Sequence, residues 1–144
     1  MQPNHETDQA SSENKVSYLP AIDPDTFYYY VATPYSRYPG GFEEAYQKAC
    51  RHTCVLIRAG IPVFCPIAHT HGFAHYGDLP HVDAALWERV DRAFLALAGG
   101  LIVVKMTGWQ DSKGIAHEIA TIEKRGRPIY YWDPADALPE DLIQ

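Results

Sequence analysis

From Phe27 onward the chain alternates short β-prone runs with longer stretches in which apolar residues recur every three or four positions. Phe27-Tyr28-Tyr29-Tyr30-Val31-Ala32 predicts a strand that stops at Thr33-Pro34. After Gly40-Gly41, the residues Phe42, Ala45, Ala49, Thr53 and Leu56 form one stripe, predicting a helix that ends at Gly60. Ile61-Pro62-Val63-Phe64-Cys65 predicts a short strand closed by Pro66. Ile67 to Pro80 reads as a long loop carrying histidines. A helix is predicted from about Asp83 to Ala98, with Trp87, Val90, Phe94 and Leu97 facing inward. Leu101 to Met106 is the most continuous apolar strand. A loop through Gly108, Trp109 and Asp111 then leads to a helix from near Ser112 to around Gly126. Pro128 to Trp132 is the last clear strand, and Asp141-Leu142-Ile143 suggests a short terminal turn.

Strands alternating with helices imply right-handed crossovers and a parallel sheet. The run from Leu101, apolar at successive positions, suits a strand covered on both faces. The expected fold is therefore α/β: a Rossmann-like, doubly wound parallel sheet of four to five strands with helices on both faces. Residues 1–23 are dominated by Ser, Asn, Glu, Gln and Asp without hydrophobic period, and read as a disordered arm. Residues 24–144 read as one domain, which a chain of 144 residues can supply with a continuous core.

A formal charge of −6 argues against a surface dedicated to a nucleic-acid polymer, which needs a clustered basic face. It leaves room for a small anion held by backbone N–H groups. The three cysteines, Cys50, Cys54 and Cys65, lack Cys-x-x-Cys spacing, and Cys50 and Cys54 read as buried helical thiols. Met1 to Lys15 lacks the apolar region of a signal peptide, and no run is long enough to span a membrane. A cytoplasmic protein without a membrane partner is expected.

Two carboxylates interrupt apolar faces. Ile115, Ile119 and Ile122 define the buried stripe of the last long helix, and Glu118 projects at its edge, whereas Lys113, His117 and Lys124 point away. Asp91 lies four after Trp87 and three before Phe94, on the apolar side of the preceding helix. A buried carboxylate needs a partner such as Arg92 or Arg125, contact with water, a raised pKa or a ligand. Both fall near the carboxyl ends of strands, where open parallel sheets bind ligands.

Ser112 is a good N-cap, and the N–H groups of Lys113, Gly114 and Ile115 would face outward at the positive end of the helix dipole. Such a terminus binds phosphate, and Gly114 permits close approach of a ligand. Ser112 lies six residues before Glu118, an axial rise of roughly 9 Å that the backward lean of helical side chains shortens. A nucleotide would fit with its phosphate on the helix end and its glycosidic bond beside Glu118.

At these residues the chain resembles the nucleoside 2-deoxyribosyltransferase superfamily, which includes nucleoside 5′-monophosphate N-glycosidases. The resemblance covers roughly Phe27 to Trp132. It rests on Tyr30-Val31-Ala32-Thr33-Pro34-Tyr35-Ser36, on Trp87 and Asp91, on Gly108-Trp109, and on Ser112-Lys113-Gly114-Ile115-Ala116-His117-Glu118. It implies that Glu118 is the nucleophile attacking the anomeric carbon, that Tyr30 orients it, and that Asp91 stands near the sugar and departing base. Thr33, Tyr35, Ser36, Ser112 and Gly114 would bind substrate, with Ser112 matching a phosphate-binding serine. The family's Asp before the third strand is absent, replaced within Ala98-Gly99-Gly100-Leu101.

The stretch His69-Thr70-His71-Gly72-Phe73-Ala74-His75 offers a His-x-His metal pattern, a plain hydrogen-bonded loop, or side chains that stack on a base. The preferred reading has His69, His71 and Trp109 contacting a base, with no metal and no cofactor. The function expected is hydrolysis of the base–sugar bond of a nucleoside 5′-monophosphate. Alternatives are nucleoside deoxyribosyl transfer, cleavage of a dinucleotide such as NAD, or a non-catalytic nucleotide sensor. The abundance of aromatic residues, 12% of the chain, together with the resemblance, implies a homo-oligomer, dimer or tetramer.

Overall fold

The computed structural model describes residues 27–143, so the arm expected at residues 1–23 lies outside the described residues. The strands are β1 (Tyr29–Ala32), β2 (Val63–Phe64), β3 (Gly100–Val104) and β4 (Ile129–Trp132). The helices are α1 (Gly41–Arg58), α2 (Pro66–Tyr76), α3 (Ala84–Leu97) and α4 (Lys113–Lys124), with 3-10 turns at Trp109–Asp111 and Glu140–Leu142. The four strands form a wholly parallel sheet in the order β2-β1-β3-β4. Tyr30 pairs with Leu101 and Ala32 with Val103 across its centre.

Side-chain alternation along each strand divides the core in two. Val31, Ile102, Val104 and Trp132 pack with Ala45, Ala49 and Leu56 of α1. Tyr30, Ala32, Leu101 and Val103 pack on the other face with Leu95 of α3 and with Ile115 and Ile122 of α4. This is the doubly wound arrangement. The chain steps from β1 outward to β2, then returns past β1 to β3. The winding therefore reverses between β1 and β3, which opens a crevice at their carboxyl ends.

The segment expected as a histidine loop is instead α2. Pro66 begins it, its fixed φ suiting the first helical position, and its inward face is Pro66, Thr70, His71 and Ala74. With Thr and His turned inward there is no apolar period to betray the helix.

Helix α3 is rotated relative to expectation. Its inward face carries Asp91, Leu95 and Ala98, whereas Val90, Phe94 and Leu97 are exposed, Leu97 by 75%. Phe94 still stacks on Phe64, with ring centroids 4.3 Å apart. Asp91, expected on the apolar side, is indeed on the inward side, but beside Leu95 rather than Phe94.

The Gly99-Gly100 pair has a packing cause. A Cβ at Gly99 would sit 1.9 Å from the Phe27 ring, and one at Gly100 would meet Tyr29 at 2.8 Å and the Pro128 carbonyl at 2.9 Å. The aromatic residues leading into β1 occupy the space that an Asp side chain would need. Of the cysteines expected to be buried in α1, Cys54 is exposed and Cys50 half-buried, while Cys65 is buried. Among the described residues no helix is long and apolar enough to cross a membrane.

Candidate functional site

A cavity of about 980 Å³ occupies the crevice at the carboxyl edge, within the size range of small-molecule sites. β1 and the turn after it supply Tyr30, Thr33, Tyr35 and Ser36; α2 supplies His71; α3 supplies Asp91; and the start of α4 supplies Ser112, Gly114 and Glu118. These residues, distant in sequence, are brought together by the reversal of winding.

Glu118 retains some surface as a residue, but its carboxyl lies deep enough to lose its hydration. Desolvation, reinforced by the nearby charge of Asp91, pushes it up to about 8, against a hydrogen bond from Tyr30 that favours the charged form. Desolvation alone raises Asp91 to about 6. Tyr30 is 1% exposed and its phenol is held neutral by burial and by the charges of Glu118 and Asp91. A neutral phenol beside Glu118 can only donate to its carboxylate, which favours the charged form.

No ion pair involves Glu118 or Asp91 among the described residues. Arg125, considered as a partner, instead donates to the Ala96 carbonyl at 3.3 Å. Among the described residues two buried side-chain polar atoms lack any hydrogen-bond partner, Asp91 Oδ1 and Thr33 Oγ1, and both residues line this cavity. Buried polar atoms are nearly always satisfied, so two orphans in residues of one cavity wall set that wall apart as short of hydrogen-bond partners.

At the start of α4, Ser112 Oγ accepts from the Ile115 N–H at 3.2 Å. The cap itself is as the sequence predicts, but the Ile115 N–H, expected to be free, is committed to it. The N–H groups of Lys113 and Gly114 remain without helical partners, as the first turn of any helix leaves them. A Cβ at Gly114 would meet nothing nearer than Ser112 Oγ at 3.8 Å, so packing does not require glycine there. The open space belongs to whatever approaches the helix end. Lys113, His117 and Lys124, expected to point away, line the cavity, as do Arg37 and Arg92. The site thus combines buried carboxylates with several cationic side chains in its walls.

A family model described as a domain of unknown function (DUF1937) matches residues 28–134, which include every residue lining the cavity. The chain belongs to the DUF1937 family. No curated protein matches it.

Two expected base contacts are not in this DUF1937 site. His69 lies on the exposed side of α2 against Phe64, Phe73 and Phe94. Trp109 packs beneath α4, next to Tyr131. Both were placed by proximity in sequence to the carboxyl edge, and helical geometry turns them away. His71, by contrast, is buried with both ring nitrogens engaged, by Tyr35 and Glu43, which leaves neither free for a metal. Among the described residues no three His, Cys, Asp or Glu side chains are grouped as a metal site requires.

Sequence reasoning missed Glu43, because it sits on an otherwise ordinary polar face of α1. It also missed the walls contributed by Thr70, His81 and Val82. Only the recognition of α2 as a helix would have revealed that Thr70 and His71 share a buried face.

Proposed function

We propose that this protein is an N-glycosidase that cleaves the base–sugar bond of a nucleoside 5′-monophosphate in the cytoplasm, with Glu118 as nucleophile. The observation that carries the reading is the desolvated Glu118 carboxyl, uncompensated by any cation yet hydrogen-bonded by Tyr30, beside the unpartnered Asp91. A fold does not retain such a carboxylate for stability, because burying it costs several kcal/mol, roughly, unless a ligand or a proton offsets the penalty.

Glu118 attacks the anomeric carbon as the carbon–nitrogen bond breaks, and the departing base takes the bonding pair together with a proton from Asp91. Water then adds at the same carbon, returning its proton to Asp91 and releasing Glu118 as carboxylate. Between them, the two carboxyls therefore need one proton at the start. The raised values of both support one shared proton near neutral pH. Because Glu118 is raised further, to about 8 against about 6, that proton rests on Glu118 in the empty protein and must pass to Asp91 when substrate binds, before attack. The phosphate belongs at the Ser112–Gly114 helix end, and the base against the wall that contains Tyr35 and His71. If another base replaces water, the same intermediate gives deoxyribosyl transfer. Homo-oligomerisation belongs to the same proposal, and the exposed Val90, Phe94 and Leu97 row of α3 is apolar enough to contribute a contact.

The test is incubation of the purified chain with a panel of nucleoside and deoxynucleoside 5′-monophosphates and detection of released base by chromatography. Release of base is expected for at least one member. Tight binding with no release would make the domain a sensor, and release only when a second base is supplied would make it a transferase.

A further inference from the structure

Tyr35, His71 and Glu43 form a hydrogen-bonded chain that runs from the cavity wall to the protein surface. Tyr35 O–H donates to His71 Nδ1 at 2.7 Å, and His71 Nε2–H donates to Glu43 Oε2 at 3.0 Å. The direction of each bond follows from Glu43. Its other oxygen, Oε1, accepts from Gln47 at 3.1 Å, and the hydrogen bonds from Gln47 and His71 favour the ionised carboxylate. An ionised carboxylate only accepts, so Nε2 must carry the proton. In the neutral imidazole Nδ1 is then the acceptor, and the single proton of Tyr35 is turned toward it. The phenol keeps that proton, since burial and the Glu43 charge push it up to about 12.

The histidine cannot easily reorient. Tyr46 stacks on it with centroids 4.2 Å apart and planes inclined by 12°, and His75 lies nearly parallel to it at 5.8 Å. His71 also stands in the partition between the large cavity and a smaller one of about 480 Å³ lined by Glu43, Tyr46, His75 and Tyr76. The ring is therefore fixed in plane and in tautomer by groups outside the large cavity.

We infer that Tyr35 presents only lone pairs to the cavity and so selects a base bearing an exocyclic amine, with His71 and Glu43 as the positioning residues that set this polarity. The inference rests on the nucleotide reading of the cavity above. A sugar hydroxyl would not be discriminated, because it can donate or accept by rotation. An amine is an obligate donor and an oxo group an obligate acceptor, so a fixed acceptor separates one class of base from the other.

Two measurements test this on the full chain. The first needs no ligand: long-range proton–nitrogen NMR of the imidazoles should show neutral His71 protonated at Nε2. Glu43→Gln, whose amide can donate to Nε2, should move population to the Nδ1-protonated form. A wild-type His71 protonated at Nδ1 overturns the inference.

The second compares ligands that differ only in the amine. Adenosine 5′-monophosphate is paired with purine riboside 5′-monophosphate, and cytidine 5′-monophosphate with its 4-deamino analogue. At least one amine-bearing member should bind roughly threefold to tenfold better than its partner, and Tyr35→Phe should level the pair. Equal binding within both pairs, or a preference that survives Tyr35→Phe, overturns the inference while leaving base release and the glycosidase reading intact. If none of the four binds, the nucleotide reading falls and the choice of base falls with it. The tautomer measurement still decides the polarity of Tyr35.

Discussion

Two tyrosines reach the cavity from β1 and the turn after it, and they end in opposite surroundings. Tyr35 enters a saturated chain, in which every polar atom from its own hydroxyl through His71 to Glu43 has a partner. Tyr30 faces Glu118 and Asp91, two carboxyls without a cation, one of them with an oxygen that bonds to nothing. Both walls are polar and both are partly buried, yet only one is left in deficit. A saturated wall holds its shape without a ligand, so it suits recognition. A wall in deficit is costly in the empty protein and becomes favourable only when a ligand or a change of charge arrives, so it suits chemistry. Thr33, with its orphaned hydroxyl, belongs with the second wall.

The strongest way to break this contrast is to remove the charge from the deficient wall. Glu118→Gln keeps the size of the side chain but cannot form the glycosyl bond. Base release should fall on the order of a thousandfold or more, with nucleotide affinity retained. Chromatographic turnover and calorimetric binding on the same preparation check both halves. Turnover within a few-fold of wild type would remove Glu118 from the mechanism.

The second prediction concerns pH and reaches stability as well as activity. A carboxyl raised from 4.5 to about 8 in the folded protein binds its proton more tightly there than when unfolded. Its stabilising effect is therefore complete below about 4.5 and is lost as pH rises toward 8. The Tm of the wild type should fall across that window, opposite to the acid sensitivity of a protein held by ionised carboxylates. Glu118→Gln should flatten the slope and add roughly 2–4 kcal/mol at the alkaline end. Activity should follow a bell whose limbs lie near 6 and 8, where the pair gains its second proton or loses its last. A Tm that rises steadily between pH 5 and 8 in the wild type would contradict the burial of an uncompensated Glu118.

Particular residues show why the fold was more legible than the site. The run from Leu101 and the stripe of Ala45, Ala49, Thr53 and Leu56 follow simple periods, and the structure buries both as those periods require, though the strand ends at Val104 rather than Met106. Glu118 was visible because a carboxylate at the edge of an isoleucine stripe breaks a period. Asp91 is visible for the same reason, from its spacing to Trp87 and Phe94, although of these two only Trp87 is turned to the cavity and Phe94 is exposed. Helix α2 was invisible because its inward face includes Thr70 and His71, and the partners of His71 are Glu43 and Tyr46 in α1 and Tyr35 in the turn after β1. Hydrogen bonding between distant segments leaves no period in a sequence. The chain from Tyr35 to Glu43 could therefore be seen only once the helices were packed.

The smallest effect is expected at Ser112, and it sharpens the contrast by asking where the negative charge of a ligand lies. Ser112 Oγ spends a lone pair on the Ile115 N–H, which leaves its own proton available to a phosphate oxygen next to the N–H groups of Lys113 and Gly114. Ser112→Ala removes that donor but leaves the backbone donors, so the preference for a nucleotide over its nucleoside should shrink by roughly threefold to tenfold. It also removes the cap, at a cost of about 1 kcal/mol in stability, which would confuse the comparison if it stood alone. Ser112→Asp resolves this, because Asp caps a helix as well as Ser does while placing a negative charge against the phosphate. The Asp variant should keep the wild-type Tm and lose the nucleotide preference altogether. Titration of matched nucleoside and monophosphate pairs against the three proteins measures it. Equal affinity for nucleoside and nucleotide in the wild type would move the ligand's 5′ end to a hydroxyl, and the reaction toward nucleoside deoxyribosyl transfer.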